Sequence, residues 1–283
     1  MATEPPDPSA PAGGSIEARI AGRDALIAWA VVAVCVLGFV QIHFEINWVG
    51  DLGSALIAVT FLYAPVFMAW RRHEDLDDYG FHFGPGGAEP PPQRGFGARA
   101  RALWALLTSK EARRSGFTAV AAMAVIFPIF TLGYFAFYEV ACNSHLLAHL
   151  VPRGMCGHYG GLHGLHAPEI TQKLLTWCGG QFIVVALPEE LFFRGFLLHL
   201  LEKRFPPKRR WLGGGVGLAL VLSAIAFALI HLPKDGDPRA LATFFPALLF
   251  GWMRSATGSI FASTLTHGAS NVLIRFLELT VLR

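Results

Sequence analysis

Charge is scarce in this sequence. Asp, Glu, Lys and Arg supply 15% of its 283 residues, whereas a soluble globular domain carries about 25%. That shortage argues against a soluble all-α enzyme. The net charge of +3 is small and is not spread as a patch that could follow a phosphate backbone, which excludes a nucleic-acid partner. A signal peptide is also lacking. No basic n-region precedes Ala25, and no A-x-A cleavage pattern follows the first apolar run, so the first apolar segment is expected to stay in the mature protein. There is no repeat of 20–50 residues of the kind a solenoid requires.

What the chain has in abundance is long apolar blocks. A bilayer-spanning helix needs about 20 mostly apolar residues. Residues 25–44, 52–70, 117–140, 174–201, 213–232, 241–253 and 259–282 meet or approach that, the sixth being short. Backbone polar groups in lipid must satisfy one another, which forces helices. The expectation is an all-α fold, a polytopic transmembrane bundle of about seven spans with a polar intramembrane cavity. Its first partner is the lipid bilayer.

Basic residues cluster in two loops, 71–114 and 202–210, and the positive-inside rule makes both cytoplasmic. Counting spans then puts the N-terminus inside, and residues 45–51, 141–172 and the C-terminus outside. The Ala/Arg/Gly-rich composition suggests a GC-rich bacterium, so the expected location is the bacterial cytoplasmic (inner) membrane. Four regions follow: a disordered tail over 1–24, a transmembrane hairpin over 25–70, a cytoplasmic loop over 71–115, and a membrane-embedded core over 116–283. The Pro/Gly-rich stretch within 76–98 reads as a turn-rich loop. Residues 99–114 read as either an amphipathic surface helix or a solvated one.

The outer loop 141–170 holds His145, His149, His158, His163 and His166 with Cys142 and Cys156. Three readings stay open for it: an ordinary loop, a Cys142–Cys156 disulfide in an oxidising space, or a metal site, although the spacing fits no standard zinc pattern. Cys35 and Cys178 lie in apolar runs and read as small core residues.

Ionisable residues inside spans are costly, at about 2.5–3.5 kcal/mol for Asp, Lys or Arg at a span centre. They therefore mark candidate functional positions. "LPEELFFRGFLLHL" places Glu189, Glu190 and Arg194 in one span; His231 ends "AIAFALIH"; His267 and Asn271 lie in the last span. Glu190 and Arg194 are four residues apart and share a helix face, so they can neutralise each other. Glu189 points about 100° away and is left free for another role. Pro188 either starts a helix, with the two glutamates in its positive first turn, or kinks a longer one. A carboxylate, two imidazoles and an amide from three helices suffice for a water-activating site with an oxyanion stabiliser.

These residues resemble the CAAX prenyl protease and bacteriocin-processing (CPBP, or Abi) family of intramembrane proteases. Its three motifs occur in order as Glu189-Glu190-Leu191-Phe192-Phe193-Arg194, Phe227-Ala228-Leu229-Ile230-His231 and His267-Gly268-Ala269-Ser270-Asn271. The likeness covers about residues 175–280. It implies membrane helices around a hydrophilic cavity, with Glu189 as the base that activates water and His231 assisting. His267 and Asn271 would stabilise the oxyanion, Glu190 and Arg194 would support the site, and Phe227 would pack beside it. No cofactor is then needed. The alternative is a zinc enzyme with Glu189, His231 and His267 as ligands, a legitimate catalytic set, although H-E-x-x-H is absent.

The resemblance implies an endopeptidase that cuts near the membrane-anchored end of a protein or peptide substrate. In a bacterium this means leader or sorting-tag processing rather than prenylated substrates: an outward-facing site favours tags, a cytoplasmic-facing one leaders. A transporter is the competing class for intramembrane Glu, His and Arg, but the two matching halves usual for one are missing. A non-catalytic scaffold or immunity protein is the third.

Overall fold

The apolar blocks fold as helices whose ends are fixed by ordinary caps. A computed structural model describes residues 16–46, 50–82, 97, 101, 104–105, 108–152 and 154–281. Among them run α1 (Ile16–Phe39), α2 (Leu52–Arg72), α3 (Lys110–Cys142), a short α4 (Met155–His158), α5 (172–204), α6 (Leu218–Asp235), α7 (Phe244–Thr257) and α8 (Phe261–Val281). Asp51 caps α2 by accepting from the Ser54 amide, and Ser109 caps α3 by accepting from that of Ala112. Gly236 and Gly258 end α6 and α7 in the left-handed conformation. The all-α expectation gains two short antiparallel hairpins. Strands β1 (Glu45–Ile46) and β2 (Gly50–Asp51) link α1 to α2; β3 (Arg209–Trp211) and β4 (Gly214–Val216) link α5 to α6.

Among the described residues three helices, α1, α2 and α3, are long and apolar enough to cross a membrane, and Leu218–Lys234 is apolar but shorter. The expected tail over 1–24 needs correction. Its first fifteen residues lie outside the described residues, but residues 16–24 are the first turns of α1. They are helical because Ala18 and Ala21 are buried on the face that continues through Ala25, Ala28, Val32 and Val36. Most of the turn-rich loop over 76–98, and of the helix expected over 99–114, also lies outside the described residues.

Lipid offers little hydrophobic drive between helices, so close approach of small residues does the packing. The Ala/Val stripe of α1 does this against Ile57 and Phe61 of α2 and Phe196 and Leu200 of α5. α3 stands outside this core and packs mainly on α8, leaving Phe117, Val125, Ile129 and Leu132 exposed on its outer side.

Contacts between loops sort the helix termini into two ends. At one end, Arg72 pairs with Asp24 and Glu74, and Lys203 also reaches Glu74. The Tyr79 hydroxyl donates to Glu74 at 2.7 Å. Burial alone would raise the Glu74 carboxyl, but hydrogen bonds from Arg72, Lys203 and Tyr79 outweigh it and hold the group at about 2. Residues 73–82 fold back beneath the bundle: the Ile260 amide donates to the Gly80 carbonyl and Ser259 donates to that of His82. Gly80 sits at φ +77, and a Cβ there would lie 2.5 Å from Arg254 Nε and 2.9 Å from the Gly258 carbonyl, so no other residue fits.

The opposite end is built from the loop over 141–170. Cys142 and Cys156 are bridged, which realises the disulfide reading of that loop. Arg239 donates to the Leu150 carbonyl, and the His166 amide to that of Thr280. The ends of α3 and α8 and the start of α7 are therefore neighbours.

Candidate active site

α5 carries the glutamate pair, and its local geometry departs from the expected helix start. Pro188 neither begins nor ends the helix. Its ring crowds the carbonyl four residues back and it has no N–H to give. Wider π-helical turns take up the misfit on both sides: the Leu187 amide reaches the Phe182 carbonyl and that of Leu198 reaches Phe193, each five residues back. Glu189 and Glu190 therefore sit mid-helix, without a helix N-terminus beside them. Both are buried, at 2% and 0% exposure.

Glu190 is the organising carboxylate. Arg194 Nη1 lies 3.1 Å from its Oε1, close enough for an ion pair though outside hydrogen-bond alignment. The expected four-residue pairing is thus present. His267 Nδ1 meets the same oxygen at 2.9 Å; because a carboxylate only accepts, Nδ1 is the donor there. The Arg194 guanidinium lies 4.1 Å from the centre of the Phe227 ring and 5.3 Å from that of Phe250. Phe250 in turn stacks on the His267 ring at 5.1 Å. Phe227 also touches both imidazoles, at 4.5 Å for His231 and 5.8 Å for His267.

Glu189 was expected to be free, and it is not. Lys234 Nζ lies 2.6 Å from its Oε1. The reason is helical register: Lys234 follows His231 by three residues on α6, so both side chains share a face. A lysine three positions after an intramembrane histidine was the available signal, missed because the apolar span was ended at Leu232. Among the described residues the second oxygen, Oε2, is buried without a hydrogen-bond partner. It faces His231 Nε2 at 3.9 Å and His267 Nε2 at 3.8 Å. His231 Nδ1 lies 2.8 Å from the Phe227 carbonyl. Only an N–H can satisfy that carbonyl, so in the neutral ring Nε2 is an acceptor aimed at Glu189.

How these groups reach one depth follows from side-chain direction. Contacts between Ser223 and the Phe193 carbonyl, and between Asn271 and Gln181, set α6 and α8 antiparallel to α5. In that register His231 and His267 lie about one turn from Glu189, near the level of Val185. Side chains lean toward the N-terminus of their own helix, so on antiparallel helices they lean toward each other and close the gap.

Asn271 is drawn to a residue that sequence reasoning missed: its amide nitrogen donates to Gln181 Oε1 at 3.0 Å. Gly268 permits the approach of α8 to α5, since a Cβ there would stand 2.5 Å from the Phe182 ring. Gln181, Glu189, Phe227, His231, Lys234, His267 and Asn271 all line one cavity of about 390 Å³. A second, of about 380 Å³, shares Glu189 and Lys234 and runs toward His43, Asp51 and Ser54. Among the described residues no three His, Cys, Asp or Glu side chains are grouped to hold a metal ion, in the outer loop or here.

Residues 171–273 match the family described as type II CAAX prenyl endopeptidase Rce1-like. No curated protein and no solved structure matches the chain. The matched stretch begins at the foot of α5 and ends just past Asn271. It holds all three motifs and leaves α1, α2 and α3 outside.

Proposed function

We propose that this chain, whose residues 171–273 match the Rce1-like CAAX endopeptidase family, is an intramembrane endopeptidase that hydrolyses a peptide bond near the anchored end of a membrane-bound substrate. Glu189 is its base. The observation that carries this is the unpartnered Oε2 of Glu189, facing two imidazole nitrogens at 3.9 and 3.8 Å. Acceptors at that separation call for a small donor between them, and one water can give hydrogen bonds of about 2.8 Å to two of them at once.

Lys234 holds Oε1 and so directs Oε2 at the water. Glu189 takes a proton from that water, with His231 Nε2 orienting it. The hydroxide oxygen bonds to the scissile carbonyl carbon, and the carbonyl electron pair moves to its oxygen. Asn271, which has an N–H besides the one given to Gln181, faces that oxygen across the cavity; His267 stabilises it only when Nε2 also carries a proton, because its Nδ1–H is held by Glu190. Collapse of the tetrahedral intermediate breaks the C–N bond, and the leaving amine takes the proton back from Glu189. Glu190 and Arg194 hold His267 in place through the 2.9 Å contact, and Phe227 packs both imidazoles.

The zinc reading fits these residues poorly. Two ligands of a tetrahedral zinc at about 2.0–2.1 Å stand only about 3.4 Å apart, closer than the two Glu189–imidazole distances here. Charge argues the same way. The carboxylates Glu189 and Glu190 already have Lys234 and Arg194 as counter-charges, and a divalent ion would leave the buried site with an excess of positive charge.

Among the described residues the long helices run alternately between two ends, with basic loops at one of them, which supports an integral protein of the bacterial inner membrane with its N-terminus inside. Glu189→Gln tests the reading. Loss of a general base costs about 10²–10⁴ in kcat, read as release of a tagged, membrane-anchored reporter by purified enzyme in detergent. Full turnover by Glu189→Gln overturns it. Loss of activity to a chelator, restored by zinc, replaces the glutamate mechanism with the metal one.

A further inference from the structure

The cavity at Glu189 is lopsided. Toward the end that carries Glu74 and Lys203, it is closed by Phe192, Phe193, Phe196 and Arg194, each at most 1% exposed. Beneath them lies Tyr79, at 0%, on the returning segment 73–82. Toward the opposite end the lining changes. Gln181 in the first half of α5 and Asn271 midway along α8 are partly exposed, as are Lys234 near the end of α6 and Thr243 at the start of α7. The second cavity leads the same way, to His43 and Asp51 between α1 and α2.

Two independent features say which membrane face that end meets. It carries the Cys142–Cys156 bridge, and disulfides persist in oxidising compartments rather than the cytosol. The closed end carries Arg71, Arg72, Lys203, Arg204, Lys208, Arg209 and Arg210 on the short connections next to helix termini, the segments in which a Lys/Arg excess marks the cytoplasmic side. The disulfide and the charge bias agree.

From this we infer that the active-site cavity opens on the exoplasmic face, so that the substrate is an exported polypeptide cut on the outer side of its membrane anchor. This rests on the peptidase reading above and narrows its substrate class. A tail exposed only in the cytosol, such as a cytoplasmic C-terminus carrying a lipid, does not reach Glu189. An extended chain entering from outside meets the partly polar lining first and the glutamate at its floor.

Cysteine accessibility tests the orientation without using catalysis. Cys35 and Cys178 are replaced by Ala, leaving the disulfide intact. Thr243→Cys, or Ile274→Cys should the first not fold, is then compared with Lys208→Cys in sealed right-side-out bacterial vesicles. The probe is a membrane-impermeant maleimide. The expected result is labelling of Thr243→Cys or Ile274→Cys in intact vesicles, and of Lys208→Cys only after permeabilisation. The reverse pattern overturns the orientation and leaves the peptidase reading standing. The expected pattern together with full turnover by Glu189→Gln would keep the orientation and sink the peptidase reading instead.

Discussion

Arg194 is fully buried beside Glu190, so replacing it isolates what an ion pair is worth inside this bundle. Arg194→Met keeps the length and apolar stem but, among the described residues, leaves His267 as the polar contact of Glu190. Breaking a buried pair by removing one partner costs about 3–5 kcal/mol, chiefly because a charge is left uncompensated. Loss of the guanidinium over Phe227, 4.1 Å away, adds up to about 2 kcal/mol. A total near 5 kcal/mol is a third or more of the stability of a typical domain, about 5–15 kcal/mol. The decisive comparison is the double variant Glu190→Gln with Arg194→Met. Glutamine keeps an oxygen for His267 Nδ1 while removing the charge that arginine neutralised. The double variant is therefore expected to be more stable than Arg194→Met alone. The assay is reversible unfolding in mixed micelles, followed by tryptophan fluorescence. Should the two costs simply add, or should Arg194→Met unfold like the parent, the pair is not what holds Glu190 in place.

Two further outcomes follow from the ends of the bundle. The folded-state carboxyl of Glu74 is lowered from 4.5 to about 2, so its contribution is complete above pH 4.5 and fades as pH falls from there toward 2. The melting temperature of Glu74→Gln should lie below the parent's at pH 7, and the gap should close below pH 4; a gap constant with pH refutes the linkage. At the other end, the Cys142–Cys156 bridge spans 14 residues. Closing such a loop contributes about 3 kcal/mol in the chain-entropy account. Reductant should lower the melting temperature of the parent but not that of Cys142→Ala with Cys156→Ala.

The sequence by itself determined that this chain is mostly helical and apolar. It also determined which residues are chemically out of place in such helices. Glu189, Glu190, Arg194, His231, His267 and Asn271 stood out because a polar group in an apolar run carries a cost that local sequence displays directly. The Glu190–Arg194 pairing was legible too, since partners four residues apart on one helix need no tertiary information. What only the tertiary structure decided were relations across helices. Lys234 looked like a loop residue until the register of α6 against α5 brought it to Glu189. Gln181 drew no notice within the span 174–201 until α8 placed Asn271 beside it. Pro188 could be read as a start or a kink, because the relief of its misfit lies in wider turns on both sides of it that local sequence does not display. The common depth of Glu189, His231 and His267 was likewise decided only by the packing. Residue counts give the height of a Cα along its own helix, whereas the meeting point depends on antiparallel direction and on the lean of each side chain.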